Sequence, residues 1–256
     1  MTKAMTSATT KALTAISKLV IPAVDVMTVP VAGGGLFPVR RIYCVGRNYV
    51  SHIREMKEAD ERDPPFFFQK PRDSIVGDGA TIAYPPDTED FQYEVELVAA
   101  IGVAGRDIDA ASALRHVWGY AVGLDMTRRD RQRDARDLRL PWEPGKSFDE
   151  SAPCGLLHPA AAVGHPSAGA ITLAVNDAEH QRGDLREMIW TVPEIVAQLS
   201  RQYVLRPGDL VYTGTPAGVG PVVTGDRIDA RIDGLSPLSV TIRHREDGSL
   251  DDGVAL

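Results

Sequence analysis

Residues 92–97, with the sequence Gln-Tyr-Glu-Val-Glu-Leu, constrain the fold of this chain more than any other stretch. They continue into the apolar run Val-Ala-Ala-Ile, so the pattern predicts a buried strand. Because alternate residues of a strand point to the same face, Glu94 and Glu96 are expected to project together. Two adjacent carboxylates on a buried face repel each other and need a shared proton or a cation. The alternative is a solvent-facing strand edge, where the two glutamates need no partner.

The composition is that of a globular protein with a β-containing fold. The 256 residues are 43% hydrophobic and 25% charged, and their 23 glycines and 18 prolines favour turns over a helix bundle. The net charge of −7 gives no electrostatic argument for nucleic acid as a partner. No apolar run reaches the roughly 18 residues of a membrane span. Cys44 and Cys154 form no metal-ligand pattern, which favours a reduced, cytoplasmic setting.

The order of the predicted elements shows no regular alternation of strands and helices, which indicates a β-rich fold with a few helices. Strands are predicted at residues 41–46, 66–68, 118–126, 171–175, 210–212, 227–232 and 238–242, and helices at 110–116, 128–140 and 192–203. Residues 181–184 are polar and are interpreted as a turn, and Lys146 is placed in a loop. The helix at 128–140 mixes Arg and Asp at helical spacings, which is typical of a solvated surface.

Three acids are the candidate metal ligands: Glu94, Glu96 and Asp125. Asp125 lies near the end of the strand at 118–126, although strands disfavour aspartate. A set of oxygen ligands without Cys or His favours Mg²⁺ or Mn²⁺ over zinc, with Ca²⁺ as an alternative ion. Three carboxylates leave about three octahedral positions for water or a chelating substrate, which makes the site an open one. Joining Asp125 to the two glutamates is a hypothesis that the spacing does not establish by itself.

His52 and Glu55 are a candidate general base and its orienting carboxylate, because residues three apart share a helix face. A surface ion pair is the alternative interpretation of the same spacing. Lys146 is a candidate cation for a developing oxyanion or a substrate carboxylate, although a loop lysine is usually solvated. Residues 213–220 are glycine-rich and suit either an anion-binding loop or an ordinary turn, but they are not a Walker loop.

Taken together, these stretches resemble the fumarylacetoacetate hydrolase superfamily from about residue 41 to residue 243. The motifs are Tyr-Cys-Val-Gly-Arg-Asn-Tyr at 43–49, Phe-Gln-Lys-Pro at 68–71, Tyr-Glu-Val-Glu-Leu at 93–97, Leu-Asp-Met-Thr at 124–127, Gly-Lys-Ser-Phe-Asp at 145–149 and Thr-Gly-Thr-Pro-Ala-Gly-Val-Gly at 213–220. Three further motifs, Pro-Pro-Phe-Phe-Phe at 64–68, Thr-Arg-Arg-Asp-Arg-Gln at 127–132 and His-Gln-Arg at 180–182, are similar to the bacterial subgroup that hydrolyses fumarylpyruvate in the gentisate pathway.

The resemblance implies an α+β, β-rich fold, with a mixed β-roll or β-sandwich and a few short helices. It divides the chain into an N-terminal extension at residues 1–38, partly disordered, and a catalytic domain at residues 39–256. It further implies a homodimer and Mg²⁺ or Mn²⁺ as the cofactor. The implied metal ligands are Glu94, Glu96 and Asp125, the water-activating dyad is His52 with Glu55, and the charge stabiliser is Lys146. Arg47, Gln132 and Thr215 are implied to lie near the substrate, and Arg128, Arg129 or Arg47 are candidates to hold the far carboxylate of a diacid.

The expected activity is metal-dependent hydrolysis of a C–C bond in a small β-diketo acid, converting 3-fumarylpyruvate to fumarate and pyruvate. The same metal site also suits an acylpyruvate hydrolase of other specificity, an oxaloacetate decarboxylase or a 2-oxo acid isomerase. The His52–Glu55 dyad favours hydrolysis, because decarboxylation needs no nucleophile. A third alternative is a Ca²⁺-stabilised binding module without catalysis, which does not require His52, Glu55 or Lys146.

Overall fold

The computed structural model describes residues 21–49 and 63–244, and this part of the chain is built mainly from short strands. The strands are β1 (Thr28–Pro30), β2 (Leu36–Pro38), β3 (Arg41–Gly46), β4 (Phe66–Lys70), β5 (Ile75–Val76), β6 (Ala80–Ala83), β7 (Phe91–Tyr93), β8 (Val95–Ile101), β9 (Val117–Leu124), β10 (Thr127–Arg128), β11 (Ala152–Pro153), β12 (His158–Pro159), β13 (Ala170–Val175), β14 (Ala178–Asp184), β15 (Asp209–Tyr212), β16 (Gly220–Pro221), β17 (Arg227–Ile232) and β18 (Leu238–Arg243). The α-helices are α1 (Ala110–Ala113), α2 (Arg129–Leu138), α3 (Glu143–Lys146), α4 (Ala160–Val163) and α5 (Val192–Gln202).

Most strands belong to two large mixed sheets. The first has the order β12-β9-β8-β15-β3-β4, and the second has the order β14-β13-β17-β18-β6. Neighbouring strands are antiparallel except for β15 with β3 and β18 with β6, which run parallel. A small third sheet has the order β10-β7-β16. The predicted β-rich α+β fold with mixed sheets and a few short helices is therefore confirmed.

Strand β8 lies inside the first sheet and is buried along its whole length. Leu97, Ala99 and Ile101 belong to one apolar cluster, which also contains side chains of the second sheet and of α5. Val98 and Ala100 point the other way into a second cluster, which the hairpin of β1 and β2 helps to cover. Both faces of the strand are therefore apolar, which explains its nearly continuous hydrophobic sequence.

Three neighbouring strands leave the first sheet at one level and enter the small sheet. β7 precedes β8, β10 follows β9 and β16 follows β15, and the three outer segments pair with one another. The chain passes between the two sheets at three places, which we call the crossings: Glu94, residues 125–126 and residues 213–219. The backbone N–H of Asp125 donates to the carbonyl of Glu94 at 2.9 Å, so two crossings are in contact. The predicted acidic strand is thus interrupted at Glu94, and this break helps to aim the acidic side chains.

The two longest helices in the described part of the chain match the predicted ones, and each has a clear local cause. α5 begins after Thr191, whose side chain forms a capping box with Glu194, and its apolar face packs in the first cluster. α2 carries exposed ion pairs such as Arg131 with Asp134, as the sequence predicts. Its opposite face, however, buries Arg129 and Gln132 against the acidic crossings.

Two further local predictions differ from the structure. Residues 181–184, interpreted as a turn, belong to β14, which pairs with β13 at the edge of the second sheet. The polar residues of this edge strand face outward except Gln181, which is fully buried. Lys146, placed in a loop by its Pro-Gly neighbours, ends the short helix α3 and is only 1% exposed.

Part of the predicted N-terminal extension packs on the body of the protein. β1 and β2 pair as a hairpin, and Val29 and Phe37 are buried in the second apolar cluster. The backbone of Leu157 bonds to the hairpin on both sides, donating to Pro30 and accepting from Ala32, each at 2.9 Å. The domain boundary after residue 38 stays a prediction. Within the described residues, no helix has the length and apolar character needed to cross a membrane.

The close approach of β12 to β9 gives a test of this fold. A Cβ atom at Gly119 would lie 2.3 Å from the backbone carbonyl oxygen of His158, on the paired strand. We expect Gly119→Ala to lower the free energy of unfolding by about 1–3 kcal/mol, because the backbone of β12 has to move. Gly77→Ala is the control, since a Cβ there meets nothing within 4 Å. Urea unfolding measures both, and equal stability of the two variants would contradict the strand pairing.

Candidate metal and substrate site

Three buried carboxylates meet where the strands cross between sheets. Glu94, Glu96 and Asp125 each offer an oxygen, and these oxygens lie within 4.8 Å of one another. The residues are 5%, 1% and 1% exposed, so water does not separate their charges. The predicted convergence of Asp125 with the two glutamates therefore occurs. Such a cluster is stable only with compensating positive charge or bound protons.

Three buried cations surround the carboxylates and supply part of that charge. Lys146 Nζ donates to Glu94 Oε2 at 2.8 Å and to Asp125 Oδ2 at 2.9 Å. Arg129 Nη2 donates to Glu94 Oε1 at 2.5 Å. Lys70 Nζ forms an ion pair with Asp125 Oδ1 at 2.8 Å. Three negative charges therefore face three positive ones, and the cluster is close to neutral when each group is charged.

Lys146 remains a cation despite its burial. Desolvation lowers the pKa of its amine, but the neighbouring carboxylates of Asp125 and Glu94 raise it, and the net result is a pKa above the ordinary value. The hydroxyl of Thr127 accepts a third hydrogen bond from Nζ at 2.7 Å. The ammonium group is thus held by three fixed acceptors, which suits a group that has to stabilise negative charge at one place.

Lys70 holds the same cluster, although the sequence motif Phe-Gln-Lys-Pro at 68–71 carried no assigned role for this residue. Its Nζ donates to the backbone carbonyl of Met126 at 2.9 Å and to that of Lys146. It therefore ties Asp125, the crossing after β9 and the end of α3 together. The sequence signal was the position of this lysine at the end of the apolar strand β4. The structure buries its side chain there.

Glu96 is the carboxylate with the fewest compensating contacts. Among the described residues it forms no ion pair, and Oε2 accepts a hydrogen bond from the backbone N–H of Gly214 at 2.8 Å. Gly214 has φ of 94°, a backbone conformation that other residues rarely adopt, which explains a glycine there. Burial, together with the charges of Asp125 and Glu94, raises the pKa of Glu96 well above its ordinary value. The site thus favours extra positive charge beside Glu96.

The donor chemistry fits a hard divalent cation. The cluster presents carboxylate oxygens with no sulfur or imidazole in the described set, which is the preference of Mg²⁺ and Mn²⁺. Asp125 Oδ1 is buried and accepts no hydrogen bond, although it lies beside Lys70. Together with the Glu96 carboxylate, this oxygen can serve as a ligand, because its 2.8 Å contact with Lys70 Nζ is an ion pair rather than a directed hydrogen bond. Glu94, Glu96 and Asp125 are therefore the residues that would hold such an ion.

The carboxylates open into a cavity whose wall contains most of the predicted substrate residues. Arg47, Gln132 and Thr215 line it together with Lys146. Gln132 accepts a hydrogen bond from Arg129, and Thr215 accepts one from Gln181 at 2.8 Å, which fixes both side chains. The backbone of Arg47 is left-handed, with φ of 62°, and its guanidinium lies 5.4 Å from the Phe66 ring centroid.

Arg128 does not line the cavity, because its guanidinium stacks 4.4 Å above the ring of Phe148 and donates to the carbonyl of Pro144. Its predicted contact with substrate has no support from this geometry. His52 and Glu55 lie outside the described residues, so their pairing stays a prediction.

Two buried amides, Gln181 and Asn48, support the site, although the sequence motifs that contain them carried no assigned role for either residue. Gln181 accepts from the backbone N–H of Val95 at 3.0 Å, between the two glutamates, and donates to Thr215 and Pro216. Asn48 donates to the carbonyl of Thr213 at 2.7 Å and pairs with the backbone of Trp190. The sequence signal for Gln181 was the motif His-Gln-Arg at 180–182, but its exposed polar neighbours on β14 gave no indication that this side chain is buried.

Comparison with known proteins places this geometry in a family. Residues 41–243 match the family described as fumarylacetoacetate (FAA) hydrolase C-terminal. This chain belongs to the fumarylacetoacetate hydrolase family. The match spans the acidic cluster, its three cations and the cavity wall, so the resemblance inferred from the sequence motifs is confirmed.

Individual relatives within the family differ in activity. The fumarylpyruvate hydrolase of Ralstonia sp is 47% identical over 177 residues, which cover 69% of this chain and 92% of the relative. The mitochondrial oxaloacetate tautomerase FAHD1 of Mus musculus is 37% identical over 207 residues, covering 81% and 93%. The crystal structure of fumarylpyruvate hydrolase from Pseudomonas aeruginosa in complex with Mn²⁺ and pyruvate has a TM-score of 0.88 and 51% identity, covering 89% of this chain and 100% of that chain. The family is thus one of enzymes, whereas the substrate varies among its members.

The raised pKa of Glu96 gives a pH-dependent test of the site. The unfolded chain releases this proton near the ordinary value of 4.5, whereas the folded protein retains it to higher pH. Between the pKa of Glu96 in the unfolded chain and its higher pKa in the folded protein, the folded state binds more protons. This group therefore makes the metal-free protein less stable as pH rises. Because a divalent ion needs the ionised carboxylate, we expect the rise in unfolding temperature caused by Mn²⁺ to grow over the same interval.

Thermal unfolding in EDTA and in Mn²⁺, at a series of pH values, measures this effect. Glu96→Gln removes the titrating group, so its metal-free protein should lose stability less steeply as pH rises. An identical pH slope in wild type and Glu96→Gln would contradict the assignment.

Proposed function

We propose that this protein is a divalent-metal-dependent hydrolase that cleaves a C–C bond of a β-diketo acid, with 3-fumarylpyruvate as the substrate and fumarate and pyruvate as the products. The observation that carries the proposal is the buried triad of Glu94, Glu96 and Asp125 beside Lys146, at the base of a cavity with arginines in its wall. The similarity to fumarylpyruvate hydrolases, one of them solved with Mn²⁺ and pyruvate, supports this choice of substrate.

The charges of the site support an anionic substrate. The three carboxylates are matched by Lys70, Lys146 and Arg129, so a divalent ion adds two positive charges that the protein does not balance. An oxo acid with two carboxylates restores neutrality in a buried place, where uncompensated charge is costly. A Mg²⁺ or Mn²⁺ ion on the triad supplies Lewis-acid polarisation of substrate oxygens and lowers the energy of negative charge that forms there.

In the proposed hydrolysis, each candidate site residue has one role. His52, oriented by Glu55, takes a proton from water, and the resulting oxygen nucleophile adds to the acyl carbonyl carbon of the substrate. Lys146 lies where its ammonium group can offset the negative charge that develops on the carbonyl oxygen. The C–C bond then breaks, its electron pair stays with the pyruvate fragment, and a proton returned to that carbon completes pyruvate. Thr215 and Gln132, which line the cavity, contact the substrate and hold it in place.

The same site also suits oxaloacetate tautomerisation, and the similarity to mitochondrial oxaloacetate tautomerases favours this second candidate. Tautomerisation moves a proton between carbon and oxygen and uses no water nucleophile. The two candidates therefore require different chemistry at His52, but they share the metal ligands and Lys146. The greater identity to fumarylpyruvate hydrolases makes hydrolysis the first choice.

We propose a homodimer on the basis of the resemblance, and a cytoplasmic location on the basis of the thiols. The family resemblance supports a homodimer, which light scattering on the purified chain tests. Cys44 and Cys154 are buried free thiols, which supports a reducing, cytoplasmic setting.

Substrate choice is tested by assaying one preparation with two substrates. With Mn²⁺ or Mg²⁺ we expect fumarylpyruvate to give equimolar fumarate and pyruvate, and EDTA to abolish the reaction, because the triad alone does not polarise the substrate. Pyruvate is measured with lactate dehydrogenase, and oxaloacetate tautomerisation by the loss of enol absorbance. Fast tautomerisation of oxaloacetate without release of pyruvate from fumarylpyruvate would identify the second candidate instead.

Two variants separate metal binding from water activation. His52→Ala should lower kcat for hydrolysis by roughly 10²–10⁴-fold, the usual contribution of a general base, while Mn²⁺ affinity is unchanged. Glu94→Gln should weaken Mn²⁺ binding itself, because it removes a charged ligand. Calorimetric titration with Mn²⁺ and steady-state kinetics distinguish the two effects. His116→Ala, in a histidine outside the cavity wall, is the matched control, and full activity of His52→Ala would exclude the proposed water activation.

A further inference from the structure

Gln181 is a buried amide that joins the second sheet to two parts of the site. It lies on β14 and is fully buried, whereas the flanking residues His180 and Arg182 are exposed. Its side chain contacts the backbone of Val95, which separates the two glutamates, and the crossing at residues 213–219. Because an unpaired amide in the interior is costly, each polar group of Gln181 needs a defined partner.

The backbone of β14 lies directly against this crossing on both sides of Gln181. A Cβ atom at Gly218 would lie 2.1 Å from the backbone carbonyl oxygen of His180, and one at Gly183 would lie 2.8 Å from Cβ of Pro216. The two glycines therefore allow an approach that a side chain at either position would prevent. This close contact places the amide of Gln181 within hydrogen-bonding distance of the crossing.

Two backbone groups determine which way round this amide lies. The N–H of Val95 donates to Gln181 Oε1 at 3.0 Å, and Gln181 Nε2 donates to the carbonyl oxygen of Pro216 at 2.8 Å. A backbone N–H only donates and a carbonyl only accepts, so exchanging the amide oxygen and nitrogen would lose both hydrogen bonds. The second hydrogen of Nε2 is donated to Thr215 Oγ1 at 2.8 Å. Thr215 is therefore the acceptor in this contact.

The hydroxyl of Thr215 still has its own hydrogen to donate. Thr215 is 2% exposed and lines the cavity that contains Glu94, Glu96 and Asp125. Within the described parts of the chain, residues 21–49 and 63–244, no group accepts this hydrogen. A hydroxyl is both a donor and an acceptor, so an acceptor oxygen of a molecule bound in the cavity would complete its hydrogen bonding.

We infer that Gln181 is a positioning residue, which makes Thr215 a hydrogen-bond donor to a carboxylate or keto oxygen of the substrate. The inference rests on the proposed function, because it takes a 2-oxo acid to occupy the acidic base of the cavity. Gln181 does not line the cavity itself, so it acts through Thr215. Since the amide cannot turn without losing two backbone hydrogen bonds, the Thr215 hydrogen stays available to the ligand. This polarity suits the oxygens of an anion, which only accept hydrogen bonds.

A double-mutant cycle on ligand binding tests this without turnover. The full chain, saturated with Mn²⁺, is titrated with pyruvate, and binding is followed by the water-proton relaxation of the Mn²⁺ ion. We expect Thr215→Val to weaken pyruvate binding roughly ten- to a hundredfold, the contribution of one hydrogen bond to a charged group. Thr215→Ser keeps the hydroxyl and should retain most of the affinity.

Gln181→Met has a side chain of similar length without the amide, and it should weaken pyruvate binding to a similar extent. Added to Thr215→Val, it should cause a further loss of no more than about twofold, because it acts through the hydroxyl that is already absent. A merely structural role would instead make the two losses multiply. Gln202→Met, the same substitution at an exposed position of α5, is the matched control and should bind pyruvate like wild type.

Gln181→Glu replaces Gln181→Met in the same cycle if the methionine variant does not fold. A carboxyl group keeps the acceptor for Val95, but it has at most one hydrogen and cannot donate to both Pro216 and Thr215. The inference is overturned if wild type does not bind pyruvate, if either single variant binds it like wild type, or if the two losses multiply. Undiminished binding by Thr215→Val is the result expected if Arg47, in the same wall, holds the ligand oxygen instead.

The hydrolysis assay separates this inference from the proposed function. Fumarylpyruvate hydrolysis by a wild type whose two losses multiply overturns the role of Gln181 alone. Losses that do not multiply, in a protein that leaves fumarylpyruvate intact, support the role of Gln181 and overturn the proposed activity.

Discussion

The burial of three carboxylates against three cations is the interaction on which the site depends. Glu94, Glu96 and Asp125 would repel one another strongly in a dry interior, and Lys70, Lys146 and Arg129 reduce that repulsion. The balance is uneven, because Glu96 lacks an ion pair among the described residues and holds its proton more tightly than an ordinary glutamate. The protein thus keeps its acids close enough to bind a hard cation, while a place for positive charge remains beside Glu96.

The geometry that makes this possible is the simultaneous break of three neighbouring strands. A continuous strand would place Glu94 and Glu96 at regular intervals on one face, and Asp125, if β9 continued through it, would be tied to the same spacing. Where β8, β9 and β15 leave the first sheet, backbone regularity ends, and Gly214 turns its N–H toward Glu96. The broken backbone is held by Gln181 and Asn48, which satisfy the buried N–H of Val95 and the buried carbonyl of Thr213.

Helix α2 has one solvated face of ion pairs and one face that contributes residues to the site. Its Arg and Asp residues form the exposed ion pairs that their spacing predicts. The other face of the same helix contributes Arg129, Gln132 and Arg136 to the cavity wall. Charge spacing along a helix therefore could not distinguish the solvated face from the functional one, because both faces are rich in arginine.

The sequence by itself determined the buried strand of residues 95–101, the capped helix α5, the β-rich fold and an oxygen-only set of metal ligands, because these depend on local hydrophobicity, capping and side-chain chemistry. The family motifs added Lys146 and the cavity residues Arg47, Gln132 and Thr215 as candidates. Only the tertiary structure decided that Asp125 joins the glutamates, that Lys70 and Gln181 support the site, that Lys146 is buried and that Arg128 turns away. These facts rest on contacts between segments far apart in the chain, and no local pattern encodes which strands cross at the same level.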